Sequence, residues 1–143
     1  LSFPPRPWPV TLLRIAPGTF LQMAQGVLDR LTLQSGDFVF KEGEEGNQAY
    51  VVQDGTIEIV RKNSDGEDIV LGTVEKGGIF GEMALIDDQP RMAAARARAG
   101  STLIVIDRTM FHGKLAKCDP FIRGLLGIFV KNIRSMVERQ LGS

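Results

Sequence analysis

Glu82 and Arg91 are the two charged residues whose spacing favours a binding site for a small anion. They flank a short apolar run, residues 83–86, which is long enough for about one helical turn. Arg91 offers a fixed positive charge and a planar fork of N–H donors that suits phosphate oxygens. Glu82 would repel a phosphate directly, so it favours an anion with neighbouring hydroxyl groups, as on a ribose, from which a carboxylate accepts hydrogen bonds.

The backbone around this pair favours the same ligand. Gly81 has no side chain, so the main chain can approach a bound molecule closely at that point. The free N–H groups at the start of the 83–86 turn favour an anion. A polar turn over residues 87–90 then leads to Arg91. The sequence therefore predicts an anion pocket between residues 81 and 91.

This segment resembles the phosphate-binding cassette of cyclic nucleotide-binding domains. The family pattern is matched by Phe80, Gly81, Glu82, Ala84, Leu85, Pro90, Arg91 and Ala93. The resemblance extends upstream, where residues 36–46 resemble the first strand and turn of the family and residues 50–59 its following hairpin. It covers about Gly36 to Met136 and is far more specific than a lone glycine motif.

The resemblance implies a role for each cassette residue. Glu82 would bond the ribose 2′-hydroxyl, and Arg91 would pair with the cyclic phosphate. The backbone N–H groups of Met83, Ala84 and Met92 would complete the phosphate cradle. A side-chain hydroxyl after the arginine helps a guanine base to bind, and Met92 cannot donate that hydrogen bond. We therefore expect cAMP to be favoured over cGMP, as a ligand and not as a resident cofactor.

The resemblance implies that the base of the nucleotide rests against apolar strand residues, here called the wall, and is covered by helix residues, here called the lid. The resemblance places the wall on a β-strand, where Val74 is the candidate, and the lid on the last helix, where Arg134, Met136 and Val137 are candidates. An arginine can stack on a purine face. The alternative for each residue stays open, because Met136 and Val137 fit a helix core stripe and Arg134 fits a solvated surface.

Composition excludes several other functions. The net charge is zero, so we expect this chain itself to bind neither nucleic acid nor an anionic membrane. No apolar run reaches the ~20 residues of a membrane span, and no signal peptide is evident. Cys118 stands alone, which excludes an intrachain disulfide and fits a cytoplasmic location. His112 is the only histidine, so no metal site and no enzyme nucleophile–base grouping is expected.

The order of patterns along the chain predicts an α+β fold. A proline-rich segment (1–10) precedes one domain (11–143), which has a short helix at 19–30, an antiparallel β-roll or jelly-roll barrel at 32–108 and two helices at 109–141. Asp54-Gly55 and Asp65-Gly66 are candidate hairpin turns. Asp107 or Thr109 is expected to cap the first C-terminal helix, Asp119-Pro120 to begin the second and Gly142 to end it.

These features predict a regulatory module that senses a cyclic nucleotide and transmits binding through its C-terminal helix. The chain begins with Leu1 and not Met, which fits a piece of a longer protein, so the output remains open between a DNA-binding domain, a channel pore, a kinase and another catalytic domain. One alternative is the sensor half of a dimeric bacterial transcription regulator, with the last helix as the homodimer seam. Another is a ligand-free interaction module of the same fold.

Overall fold

The computed structural model describes residues 29–141, which form two four-stranded antiparallel sheets and three helices. The strands are β1 (Arg30–Leu33), β2 (Phe38–Phe40), β3 (Gln48–Asp54), β4 (Thr56–Lys62), β5 (Asp68–Glu75), β6 (Ile79–Phe80), β7 (Ala94–Ala97) and β8 (Ser101–Asp107). The helices are α1 (Met83–Asp87), α2 (Arg108–Ala116) and α3 (Pro120–Gln140). One sheet has the order β1-β8-β3-β6 and the other β2-β7-β4-β5.

The core lies between the two sheets and follows the alternation of the strands. In β4, Ile57 and Ile59 are buried, whereas Glu58 between them is more exposed. Val52 of β3 and Leu103 of β8 meet these residues from the opposite sheet. The predicted β-roll with a cassette helix and two C-terminal helices is thereby confirmed. The predicted helix at 19–30 lies outside the described residues, except for Asp29 and Arg30, and Arg30 already belongs to β1.

One of the two predicted hairpin turns is confirmed. Strands β4 and β5 pair across Lys62 and Asp68, with Asp65-Gly66 in the turn between them. The Asn63 side-chain oxygen accepts hydrogen bonds from the Asp65 and Glu67 backbone N–H groups, both at 2.9 Å. Gly66 has φ +79°, a value that glycine adopts without strain.

The hairpin predicted at Asp54-Gly55, within residues 50–59, is wrong. The chain does turn there, but β3 pairs with β6 and β8 in one sheet while β4 pairs with β5 and β7 in the other. The turn is therefore a corner between the sheets. Ser101 of β8 packs into this corner, and its hydroxyl accepts a hydrogen bond from the Thr56 N–H at 3.1 Å.

The C-terminal helices begin where their capping residues predict. The Asp107 carboxylate accepts a hydrogen bond from the Met110 N–H at 2.7 Å, so Asp107 and not Thr109 caps α2. Asp119 caps α3 in the same way, and Pro120 occupies its first turn. Helix α3 ends at Gln140; the predicted end at Gly142 lies outside the described residues.

Helix α1 lies between the two C-terminal helices and the sheet that ends in β6. It follows β6 directly and contacts both α2 and α3. His112 of α2 forms a hydrogen bond with the Leu85 carbonyl at 2.8 Å. Within residues 29–141, no helix combines the length and the apolar character that a membrane crossing requires.

Candidate functional site

The turn between β6 and α1 depends on Gly81. Its φ of +80° lies in the left-handed region that favours glycine. A Cβ at this position would also lie 2.9 Å from Arg91 Nη1 and 3.2 Å from a Phe40 ring carbon. Both the backbone conformation and the lack of space therefore require glycine where the chain passes beside the arginine.

Helix α1 has only five residues, and Glu82 precedes it without capping it through its side chain. The Glu82 carbonyl accepts hydrogen bonds from the Leu85 and Ile86 N–H groups at 3.0 and 3.1 Å. The N–H groups of Met83 and Ala84 lie in the first turn, where no preceding helical carbonyl can accept from them. Met83 and Ala84 both line the cavity described below.

Arg91 is anchored through its backbone to the turn before β3. Its N–H donates to the Glu44 carbonyl at 2.8 Å, and its carbonyl accepts from the Gly43 N–H at 2.9 Å. Asp88 ends α1 with φ +55°, which turns the chain back toward this position. The arginine backbone is thus fixed by pairing with a segment nearly 50 residues earlier in the sequence.

The Arg91 guanidinium is buried, with 6% of the residue exposed. Nη1 donates to the Gly81 carbonyl at 2.6 Å and Nη2 to the Gln48 carbonyl at 2.7 Å. Among residues 29–141, Arg91 Nε is the one buried side-chain nitrogen or oxygen without a hydrogen-bond partner. Burial lowers the pKa of Arg91, although Tyr50, Glu44 and Glu82 oppose that shift. An anion beside this cation would offset the cost of burying it.

A cluster of three aromatic rings lies beside the Arg91 guanidinium, and Phe40 contacts it directly. Arg91 Cζ lies 4.0 Å from the centroid of the Phe40 ring, a cation–π contact. Phe40 packs against Tyr50 and Phe80, which stack on each other with their centroids 5.3 Å apart. Gly46 closes a further side, because a Cβ there would lie 2.6 Å from Arg91 Cζ. The Phe40 ring and the backbone at Gly46 therefore restrict where the Arg91 guanidinium can lie.

Glu82 lies half-buried at the same cavity as Arg91. Burial raises the pKa of its carboxyl, while the Glu82 backbone N–H and the Arg91 cation lower it in part. A half-buried carboxylate is stabilised by hydroxyl groups that donate hydrogen bonds to it. The structure thus brings together the anion-binding and hydroxyl-binding side chains that the sequence predicts.

The cavity beside these residues has a volume of about 80 Å³. It is lined by Phe40, Ile59, Ile79, Phe80, Gly81, Glu82, Met83, Ala84, Arg91, Met92, Ala93 and Arg134. A second cavity of about 200 Å³ adjoins it and shares Arg91, Met92 and Arg134 with it. Seven of the ten predicted site residues line the first cavity.

The other three predicted residues lie elsewhere. Val74 is fully buried in the core and does not line either cavity, because its strand position faces the opposite sheet. Val137 is 4% exposed and packs in the same core, whereas Met136 is 42% exposed to solvent. The helical period places Met136 on the other side of α3 from Arg134, which faces the cassette. Val137 lies one turn after Arg134 on a neighbouring face, where its shorter side chain packs in the core.

Several residues of the site carry no sequence signal of their own. Gln48 holds Arg91 through its backbone carbonyl, which any residue could supply. Phe40 and Ile59 read as ordinary strand residues, yet they form the apolar floor of the cavity. Asp87 reads as part of a polar turn, yet its carboxylate pairs with Arg134 of α3. Gly46 lies in the upstream turn that the family resemblance covered.

The family model described as the cyclic nucleotide-binding domain matches residues 30–118. The cAMP-dependent protein kinase regulatory subunit of Schizosaccharomyces pombe is 34% identical over 102 residues, 71% of this chain and 24% of that protein. The anaerobic regulatory protein of Bacillus subtilis is 27% identical over 95 residues, 66% of this chain and 40% of that protein.

Solved structures show the same likeness. The cAMP-bound form of the EAL enzyme Bd1971 superposes with a TM-score of 0.72 and 29% identity, covering 80% of this chain and 29% of that one. A transcriptional regulator N-terminal domain from Streptomyces coelicolor shares the fold with a TM-score of 0.59, at 24% identity over 82% of this chain and 81% of that one. This chain spans less than half the length of both sequence relatives.

Proposed function

The chain belongs to the cyclic nucleotide-binding domain family, and from that premise we propose that it is a regulatory module that binds a cyclic nucleotide, preferring cAMP, and catalyses no reaction. Arg91 pairs with the cyclic phosphate, and Glu82 accepts hydrogen bonds from the ribose. The N–H groups of Met83 and Ala84 complete the phosphate contacts. The relatives named above include a regulatory subunit of a cAMP-dependent protein kinase and an enzyme solved in a cAMP-bound form, which supports the same ligand class.

One observation carries this proposal: the Arg91 guanidinium is buried, its Nε has no hydrogen-bond partner among residues 29–141, and Arg91 lines the same cavity as Glu82. A guanidinium has five N–H donors, and only two bonds from Nη1 and Nη2 are made to carbonyls. Burial of a cation that donates to only two backbone carbonyls lowers the stability of the fold. A ligand that needs this cation explains why a buried arginine is present at this position. A bound phosphate supplies the missing charge and acceptors.

The preference for cAMP rests on Met92. This residue follows the phosphate-binding arginine, is partly buried and lines both cavities. Its thioether offers no hydrogen-bond donor to a guanine base. We expect Met92→Thr to improve cGMP binding more than cAMP binding, since a hydroxyl replaces the thioether.

Transmission of binding runs through the contacts between α1 and the C-terminal helices. Arg108 of α2 donates to the Asp88 carboxylate at 2.5 Å and to the Gly46 carbonyl at 2.9 Å. Arg134 of α3 bonds Asp87 and the Pro90 carbonyl. Movement of the cassette on ligand binding therefore displaces both helices, with a coupling of ~1–3 kcal/mol typical of such systems.

Thermal denaturation with and without cAMP tests the proposal. At cAMP concentrations about 100-fold above Kd, a bound ligand stabilises the folded state by about 2.7 kcal/mol, which raises the Tm measurably. We expect this shift in the parent and in Arg98→Ala, whose exposed side chain lines neither cavity. Arg91→Ala should remain folded and lose the shift. An Arg91→Ala variant that responds to cAMP as the parent does would remove Arg91 from the site.

A homodimer through α3 is a second proposal, favoured by one specific feature. Ile122, Phe129, Ile133 and Met136 are between 42% and 52% exposed. With Leu126 they follow the four-then-three spacing of a coiled-coil seam. A second copy would cover this stripe, as in the dimeric regulator that the sequence offers as an alternative. Sedimentation equilibrium of the parent and of Phe129→Glu tests it: a dimer that the variant abolishes supports the seam, and a monomeric parent excludes it.

A further inference from the structure

Arg134 joins helix α3 to the cassette through all of its nitrogen atoms. Nε and Nη2 donate to the two oxygens of Asp87, the latter at 3.0 Å, and Nη1 donates to the Pro90 carbonyl at 2.9 Å. The two side chains are only 20% and 17% exposed. A guanidinium held in this way is not free to stack on a nucleotide base. The role of Arg134 therefore depends on its fixed position between α3 and the cassette.

Arg134 is held between two cavities. The cavity at Arg91 and Glu82 has about 80 Å³, and the cavity beside it, which extends to Arg61 and Glu138, has about 200 Å³. Pockets for small organic ligands usually have ~300–1,000 Å³. Neither cavity alone reaches that range, whereas the two joined approach its lower end.

Three residues line both cavities, and they differ in how firmly they are fixed. Arg91 and Met92 belong to the segment that leads into β7, and the backbone of Arg91 pairs with residues 43 and 44. Arg134 is the one shared residue that α3 contributes, and it reaches the site at the end of a long side chain. Displacement of α3 would therefore remove Arg134 from both cavities, and Glu138 from the second, while the lining that other elements supply stays in place.

We propose that Arg134 is a gate that divides one nucleotide-sized site into two cavities, and that its ion pair with Asp87 holds the gate closed. This inference rests on the proposed function, since it concerns access to the same site. A ligand enters when α3 carries Arg134 away from Asp87 and Pro90. Closure lowers the apparent affinity and the association rate by the fraction of molecules in which the gate is open.

Two neighbouring aspartates provide a matched pair of variants. Asp87→Asn removes the charge that holds Arg134 but keeps the oxygen that accepts from the Gln89 N–H at 3.1 Å. Asp88→Asn removes the partner of Arg108, on the other side of α1, and Asp88 lines neither of the two cavities. Asn tolerates the left-handed backbone at residue 88 as well as Asp does.

Stopped-flow binding of a fluorescent cAMP analogue to nucleotide-free protein tests the gate. We expect Asp87→Asn to associate about tenfold faster than the parent, which corresponds to about 1.4 kcal/mol. Asp88→Asn should stay within about twofold of the parent, an effect of order RT ln 2. Equal rates for the parent and Asp87→Asn, or a slower variant, would overturn the gate while leaving the binding function intact.

Arg134→Ala gives a second test that does not depend on Asp87. Removal of the gate should raise both the association rate and the equilibrium affinity, whereas removal of a residue that stacks on the base should lower the affinity. Weaker binding by a folded Arg134→Ala would therefore overturn the proposal. If neither the parent nor any variant binds the nucleotide, the proposed function itself is refuted. If Asp87→Asn binds it and the parent does not, the gate is supported most strongly.

Discussion

Gly46→Ala is the change that tests the packing around the phosphate-binding arginine most sharply. Gly46 is buried, and a Cβ there would lie 2.6 Å from Arg91 Cζ, 2.7 Å from Arg91 Nε and 2.7 Å from the Ala84 Cβ. Favourable contacts between carbon atoms lie near ~3.5–4.0 Å, so the guanidinium must move by about 1 Å. The backbone of Gly46 is not in the left-handed region, so the effect of an added Cβ is steric.

A movement of that size breaks the bonds that hold Arg91. Nη1 and Nη2 lie 2.6 and 2.7 Å from their carbonyl acceptors, and an added 1 Å, as estimated from contact distances, takes both near or beyond hydrogen-bonding range. Overpacking a close-fitting site costs about 1–3 kcal/mol. At about 4 °C per kcal/mol for a domain of this size, the Tm should fall by roughly 4–12 °C. Affinity for cAMP should fall at least tenfold because Arg91 is misplaced.

Differential scanning calorimetry and a cAMP titration measure the two effects. Gly124→Ala on α3 is the matched control, because a Cβ there meets nothing within 4 Å and Ala favours a helix over Gly by about 0.5–1 kcal/mol. The control should therefore be slightly stabilised and bind cAMP as the parent does. A Gly46→Ala variant with the Tm and the cAMP affinity of the parent would refute the packing argument.

Two further predictions concern a titrating group and a helix cap. Burial raises the pKa of Glu82 in the folded state above its unfolded value, so its contribution favours folding at low pH and is lost as the pH rises through the folded pKa. Glu82→Gln should thus have a higher Tm than the parent at pH 7, and the difference in Tm should narrow toward pH ~4. Its cAMP affinity should fall. A difference in Tm that stays constant across the pH range would contradict this. Asp107→Ala removes the cap of α2 and should cost about 1 kcal/mol by urea denaturation, whereas an unchanged midpoint would mean that the cap contributes nothing.

The sequence predicts the parts of the site that are local in the chain. Gly81, Glu82 and Arg91 lie within eleven residues, so their types and spacing are enough to indicate an anion pocket. Capping residues such as Asp107 and Asp119 likewise act on the helix that follows them. Interactions of this kind depend on neighbouring residues and on backbone chemistry that each residue type carries with it.

The parts that the sequence does not reveal depend on contacts between distant segments. Turn chemistry at Asp54-Gly55 indicates where the chain turns but not which sheet the next strand joins. The Gln48 carbonyl that holds Arg91 is 43 residues away, and Asp87 is 47 residues from Arg134. Val74, Met136 and Val137 fit a pocket by residue type, but the facing of their strand and helix is set by tertiary packing.

Calorimetric titration of cAMP and of cGMP into nucleotide-free protein tests the central claim, that Arg91 and Glu82 form a cyclic nucleotide site. We predict saturable binding of both ligands or of cAMP alone, with cAMP the tighter, and loss of the binding heat in Arg91→Ala. Folded protein that binds neither nucleotide would contradict the claim and leave a cyclic nucleotide-binding fold that serves another ligand or a protein partner.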